Sequence, residues 1–276
     1  YIARGYMQSG DVKKAYRLAS SSAERSGKKA PLAGWVAGLT AWRLGKHKEA
    51  ARFFEITATS PYSSSWTASA GAYWASRAHM RAGHIGAVYK WLKEAASYPR
   101  TFYGLIATRS LGWDFDFNWD MPALTNSHIE ALLALPAGYR AVSLVNIGQY
   151  HLAELELRQI DPKGDKKLLQ ALFAYAHKND LPSFAMRLAE AKHAPDGSLY
   201  DAALYPLSPW QPGEGFRVDR ALIHALIRQE SRFDPYAESH SGAAGLMQLM
   251  PATASYIAGD SHYREAAGRH SLKDPL

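Results

Sequence analysis

The chain has 276 residues, 47% apolar and 21% charged, near the average for soluble domains, which excludes disordered and collagen-like classes. No apolar run reaches the ~18 residues of a membrane-spanning helix, and the lack of cysteine excludes disulfides and thiolate metal sites without naming a compartment. A net charge of +7 attracts polyanions, but Lys28-Lys29 and Lys166-Lys167 are short, dispersed pairs and no nucleic-acid motif is present, so an acidic partner other than nucleic acid is expected.

The sequence starts at Tyr1 without a secretory-leader pattern, so a processed or partial chain is expected. Its first two hundred residues alternate helix-length amphipathic segments with short breaks and hold almost no strand-like alternation. An all-α chain follows. A small pattern recurs at the breaks: Gly10-Asp-Val-Lys-Lys-Ala15, Gly45-Lys-His-Lys-Glu-Ala50 and Gly148-Gln-Tyr-His-Leu-Ala153, with a looser copy from Gly83 to Val88. Each glycine suits a left-handed helix exit, and the small residue five positions on suits close packing at the next helix start. Gly10 and Gly45 stand 35 residues apart and Gly45 and Gly83 stand 38 apart, near the period of tetratricopeptide arrays. The expected architecture is a degenerate helical-repeat solenoid. The eight Trp and sixteen Tyr residues could stack on sugars, but their helical spacing favours repeat core for any single one.

Pro206, Pro209, Pro212, Gly213 and Gly215 break helical continuity, which puts the expected domain boundary there: residues 1–205 as the α-helical repeat superhelix and 206–276 as a second, mainly α domain. Asp219 is the expected N-cap of the next helix, which must end by Asp234 because Pro235 follows. In that helix Leu222, Leu226 and Glu230 lie on one face, so Glu230 is expected to continue a buried apolar stripe. Desolvation and the negative end of the helix dipole both favour its protonated form, which a general acid needs near neutral pH. The plainer reading is an exposed glutamate paired with Arg228 and Arg232. Beyond it, Gly242 and Gly245 allow unusual dihedrals, and Leu246-Met247-Gln248-Leu249-Met250 is too short for a free-standing helix, so it is expected to form a cleft wall. Pro251 is placed to open the following helix.

The run Ile227-Arg228-Gln229-Glu230-Ser231, with Phe233-Asp234-Pro235, Ala237, Ser239, Gly242-Ala243, Gly245-Leu246-Met247-Gln248-Leu249-Met250-Pro251 and Thr253-Ala254, resembles the soluble lytic murein transglycosylases. The long periplasmic members of that family join an α-superhelical region to a lysozyme-like catalytic domain, and Thr101-Phe102-Tyr103-Gly104 followed by Leu111-Gly112 is similar to the former. The resemblance implies a lyase that cleaves the β-1,4 bond between N-acetylmuramic acid and N-acetylglucosamine in peptidoglycan and forms a 1,6-anhydro muramyl end. It implies that Glu230 acts as acid and then base, that Ser239, Gln248 and Met250 contact substrate, and that the chain is periplasmic. No metal or organic cofactor is required, the glycan strand is the partner, and no protein partner is named.

The family's domain continues past the glutamine-containing segment, whereas this sequence stops at Ser271-Leu272-Lys273-Asp274-Pro275-Leu276, so residues 206–276 are expected to be the N-terminal half of a truncated domain with little or no activity. Two alternatives stand beside the leading reading: lysozyme-type hydrolysis by the same Glu230, and a helical scaffold or wall-binding module whose catalytic half is incomplete.

Overall fold

Helix exits dominated by glycine organise this chain, which a computed structural model describes at residues 1–193 and 197–274. Seven helices come first: α1 (Ile2–Gln8), α2 (Val12–Ser26), α3 (Pro31–Arg43), α4 (His47–Thr59), α5 (Ser65–Arg81), α6 (Ile85–Ala96) and α7 (Phe102–Ser110). At the end of α3, Gly45 takes φ +74° and lets the Lys46 N–H reach back to the Ala41 carbonyl at 2.9 Å, a closure that an L-residue adopts only with strain. Gly10, Gly83 and Gly148 also have positive φ at helix exits. The small residues that follow at the same spacing, Ala15, Ala50 and Ala153, are fully buried. The repeat grammar read from the sequence is therefore the packing grammar of the fold.

Consecutive helices of this first segment pack on one another in chain order, around a core of alanines with Phe53, Phe54 and Trp91. Trp35, Trp42, Phe54 and Trp74 meet in tilted and edge-to-face pairs 5.3–6.5 Å apart, so these aromatics serve the repeat core. Each fully buried phenylalanine contributes about 1.5–3 kcal/mol of burial.

The remaining elements are α8 (Asn126–Leu133), α9 (Pro136–Asn146), α10 (Tyr150–Leu157), α11 (Lys166–Lys178), α12 (Pro182–Ala191), α13 (Asp201–Leu204), α14 (Arg220–Glu230), α15 (Pro251–Ala258), a 3-10 turn (Ser261–Arg264) and α16 (Ala266–Ser271). Their main core joins Leu132, Leu157, Leu172, Phe173 and Tyr200, and a smaller cluster joins Met186, Ile227 and Phe233. No strand occurs among the described residues; two isolated bridges are the nearest approach. The fold is all-α, as expected.

The division of the chain differs from the expected boundary at 206. Contacts separate Tyr1–Asp116 from Phe117–Leu276. The physical reason lies in two segments. Residues 113–125 form no helix, and their two ends are held by different partners: Arg100 donates to the Asp116 carbonyl, while buried Asp201 accepts from the Asn118 N–H at 2.8 Å. The Pro/Gly-rich segment 206–215 interrupts helices without parting the packing. Past it, Ile227 and Phe233 pack on Met186 of α12, and Arg228 Nε donates to the Leu204 carbonyl at 2.9 Å. Residues 275–276, the end of the segment expected as a half-domain, lie outside the described residues.

Candidate active site

Asp219 caps α14 by accepting from the Ala221 N–H at 2.7 Å. The helix is pinned along its length: His224 donates from Nδ1 to the Arg220 carbonyl and accepts at Nε2 from the Ser208 N–H, which fixes its tautomer. Ile223 and Ile227 supply the packed face, set against Phe233, Leu246 and Met247. Glu230 is the last residue of α14, three positions beyond buried Ile227 and four beyond exposed Leu226.

The chain then reverses sharply. Ser231 closes the helix by donating to the Ile227 carbonyl through N–H and Oγ. Arg232 and Phe233 follow with φ +54° and +61°, left-handed values that cost non-glycine residues about 1–3 kcal/mol each. This reversal buries Phe233 and Asp234 and leaves Glu230 at the surface.

Burial at Glu230 is where the sequence expectation fails. Leu222 and Leu226 are 52% and 39% exposed and Glu230 is exposed with them, because no described element packs over that stripe. The plainer alternative of arginine pairing fails as well. Arg228 is spent on the Leu204 carbonyl and the Tyr205 ring, 4.8 Å away, and Arg232 pairs with Glu190 at 3.2 Å. The described residues give the Glu230 carboxylate no hydrogen bond or ion pair.

Below the reversal lies a cluster of charged side chains that sequence reading missed. Asp234 accepts from the Tyr236 N–H and lies 3.7 Å from Arg158, 4.0 Å from Arg187 and 4.0 Å from His151. The His151 ring stacks on Tyr236 at 4.3 Å. Glu154, 5% exposed, accepts from the Phe184 N–H and from Arg158. Burial pushes the Glu154 carboxyl above its ordinary value, its two donors oppose that rise, and the neighbouring Asp234 charge adds to it. The spacing of His151, Glu154 and Arg158 on one helix stripe was the available signal; their meeting with Asp234 is a tertiary fact.

The loop from Ala237 to Met250 is not helical, as expected, and is folded by its own backbone. Bridges join Glu238 to Ala244 and Ala244 to Leu249, and Gly242 and Gly245 take φ +86° and +80°. A Cβ on Gly245 would run into the Leu272 carbonyl, so glycine is required there twice over. Ser239 Oγ accepts from the Ala243 N–H at 3.0 Å. Gln248, with φ +49°, donates from Nε2 to the Ala237 and Gly245 carbonyls, both at 3.0 Å. Both side chains thus hold the loop, leaving the Ser239 O–H and the Gln248 Oε1 for other partners. Met250, 41% exposed, precedes Pro251 at the first position of α15. Lys273 Nζ donates to Glu238 at 2.8 Å, and this bond foremost holds the Glu238 carboxyl below the ordinary carboxylate value.

Residues 210–276 match the Transglycosylase SLT domain model. The soluble lytic murein transglycosylase of Salmonella typhimurium is 28% identical over 174 residues, covering 60% of this chain and 26% of that protein. Two solved structures share the fold: the 70 kDa soluble lytic transglycosylase of Escherichia coli (TM-score 0.58, 19% identity, 99% of this chain and 49% of that one), and an inactive mutant of the lytic transglycosylase Slt of Pseudomonas aeruginosa (TM-score 0.65, 20% identity, 95% and 42%). The chain therefore spans less than half the length of these relatives. Residues 210–276 thus match the SLT domain model, and the chain is similar in sequence to a soluble lytic murein transglycosylase and in fold to two solved lytic transglycosylases.

Proposed function

We propose that residues 206–276 form the N-terminal half of a lysozyme-like domain that cleaves peptidoglycan strands in the periplasm, with Glu230 as the only catalytic carboxylate. The observation that carries this reading is the contrast among the three acidic groups of residues 230–250. Glu230 is exposed and unpaired at the end of α14, Asp234 is buried beside Arg158, Arg187 and His151, and Glu238 is bound by Lys273. A retaining glycosidase needs two carboxylates about 5 Å apart, whereas substrate-assisted enzymes use the N-acetyl group in place of the second.

In the proposed sequence protonated Glu230 donates to the glycosidic oxygen as the bond from that oxygen to the muramyl C1 breaks. The N-acetyl carbonyl oxygen bonds to C1 and holds the cation. The Glu230 carboxylate then takes the C6 hydroxyl proton, O6 bonds to C1, and the N-acetyl oxygen leaves, which restores the acid and yields the 1,6-anhydro end. Bound glycan covers the exposed carboxylate and supplies its desolvation. The Ser239 O–H, the Gln248 Oε1 and the Met250 side chain are the proposed substrate contacts. Every step uses protein and substrate groups alone.

Incubating sacculi with the protein at high concentration for long times, because a half-domain is expected to turn over slowly, and weighing the released muropeptides tests this. Products one water lighter than hydrolysis products are expected, and E230Q should release none while still sedimenting with sacculi. Release by E230Q at the wild-type rate would end the assignment of Glu230, and full-mass reducing ends would mean lysozyme-type hydrolysis. The exposure of Glu230 favours one second reading, a wall-binding module. In that case wild type and E230Q bind sacculi equally and neither cleaves.

A further inference from the structure

A second cavity, of about 520 Å³, opens beside the turn between α11 and α12, away from the loop of Ser239 and Gln248. Its floor is made of small and aliphatic side chains, among them Ala176, Leu181 and Ala203, and its rim carries Trp119, His177, Asp180 and Tyr205. Trp119 is 57% exposed, with the tilted Phe117 ring beside it at 5.4 Å, an unusual placement for a large apolar ring. His177 and Asp180 make no hydrogen bond or ion pair among the described residues. An apolar floor, an open indole and two free polar groups of different hydrogen-bonding character have the composition of a small-molecule site, and the volume lies within the roughly 300–1,000 Å³ of such sites.

The backbone at Asp180 shows how the carboxylate comes to stand there. The Leu181 N–H reaches back to the Ala176 carbonyl at 2.9 Å, the same closure that ends α3, α5 and α9. Those three exits use Gly45, Gly83 and Gly148, whereas here the left-handed position, φ +50°, is filled by Asp180. Aspartate is one of the few L-residues that visits that conformation routinely, so the exit closes as the glycine exits do while carrying a side chain. The carboxylate stands on the cavity rim.

We infer that this cavity is an accessory subsite for one or two N-acetylated pyranose residues of a glycan strand, an inference that rests on the glycan reading of the Glu230 site. A pyranose presents an apolar C–H face to an indole and a rim of hydroxyl and amide groups to polar side chains, which is the division found here. A purely apolar occupant would desolvate Asp180 without giving it a partner. Asp180, Leu181 and Pro182 also line a smaller cavity of about 170 Å³, whose far wall holds Trp210, Phe233 and Tyr236. Phe233 is three residues beyond Glu230. The ridge of the α11–α12 turn therefore separates the accessory subsite from a second aromatic-lined hollow that adjoins the reversal after α14.

Tri-N-acetylchitotriose titrated into the full chain, labelled with ¹⁵N at tryptophan indoles and ¹³C at methionine methyls, tests this, with W119F identifying the Trp119 signal. Saturable shifts at both Trp119 and Met250 are expected. Followed at the methyl of Met121, which lines the same cavity, W119A should weaken the affinity at least tenfold and D180N about threefold, with helicity unchanged by circular dichroism because both side chains are exposed. Shifts at Met250 alone would overturn the accessory subsite and leave the Glu230 reading standing. Shifts at neither would count against both. A stem tripeptide that moves the Trp119 signal where chitotriose does not would overturn the sugar assignment.

Discussion

Gly245 and Gly242 sit three residues apart in the same loop, both with left-handed backbone, yet only one has a neighbour in the way. A Cβ on Gly242 meets open space, so G242A should cost only the conformational strain, about 1–2 kcal/mol. A Cβ on Gly245 would also displace the Leu272 carbonyl, and with it the segment that brings Lys273 to Glu238, so G245A should cost clearly more than G242A. Urea unfolding of the two variants checks the order; equal losses would mean that Leu272 does not constrain the loop. Glu154 gives a prediction in pH. Burial raises its carboxyl above the ordinary value of 4.5, so the folded chain holds that proton more tightly than the unfolded chain. The resulting stabilisation is fully present below the unfolded value and is lost as pH rises through the higher folded value. Wild type should therefore lose stability relative to E154Q as pH is raised from about 4 to about 7, measured by urea midpoints. An unchanged difference across that range would contradict the assignment. At this scale the sequence marked Glu230, Ser239, Gln248 and Met250 as candidates through their residue types within one motif. It could not make legible that Gln248 spends both amide hydrogens on the Ala237 and Gly245 carbonyls, since that depends on a backbone path only folding defines.

Among elements, α14 owes its position to the reversal that ends it. Phe233 is 1% exposed and lies with Ile227 and Met186, which makes it the anchor drawing the helix end onto α12. F233A should cost about 3–5 kcal/mol, the usual loss for emptying a buried aromatic site. The same variant should raise hydrogen exchange at the Ser231 and Asp234 amides, which close the turn. A loss under about 1 kcal/mol would mean that the strained residues Arg232 and Phe233 are held by something other than this packing. The helix exits at Gly10, Gly45, Gly83 and Gly148 were readable because a left-handed exit and a close-packed small residue recur at fixed spacing. The division after Asp116 was not readable, because Gly112 and Pro122 are single breakers like those at the other helix exits, while the segment in which breakers crowd, 206–215, is bridged by contacts distant in sequence.

For the molecule as a whole, the buried side chains fall into separate clusters: one confined to Tyr1–Asp116, and two confined to Phe117–Leu276. Stability need not then be lost all at once, because a defect in one core removes contacts that the other core does not share. Phe173, fully buried and stacked on Tyr200 at 4.1 Å, is central to the larger cluster of the second unit. F173A should remove about 3–5 kcal/mol from that unit. Amide exchange resolved along the chain should accelerate through α8–α13, while amides of α3, α4 and α5, packed around Phe53 and Phe54, keep wild-type protection. Equal acceleration in both sets would show that the two cores unfold as a single cooperative body. An unchanged exchange in α8–α13 would instead mean that Phe173 is not the keystone its burial implies. Protection preserved only in the first unit is the expected result, because Phe173 belongs to the core of the other unit.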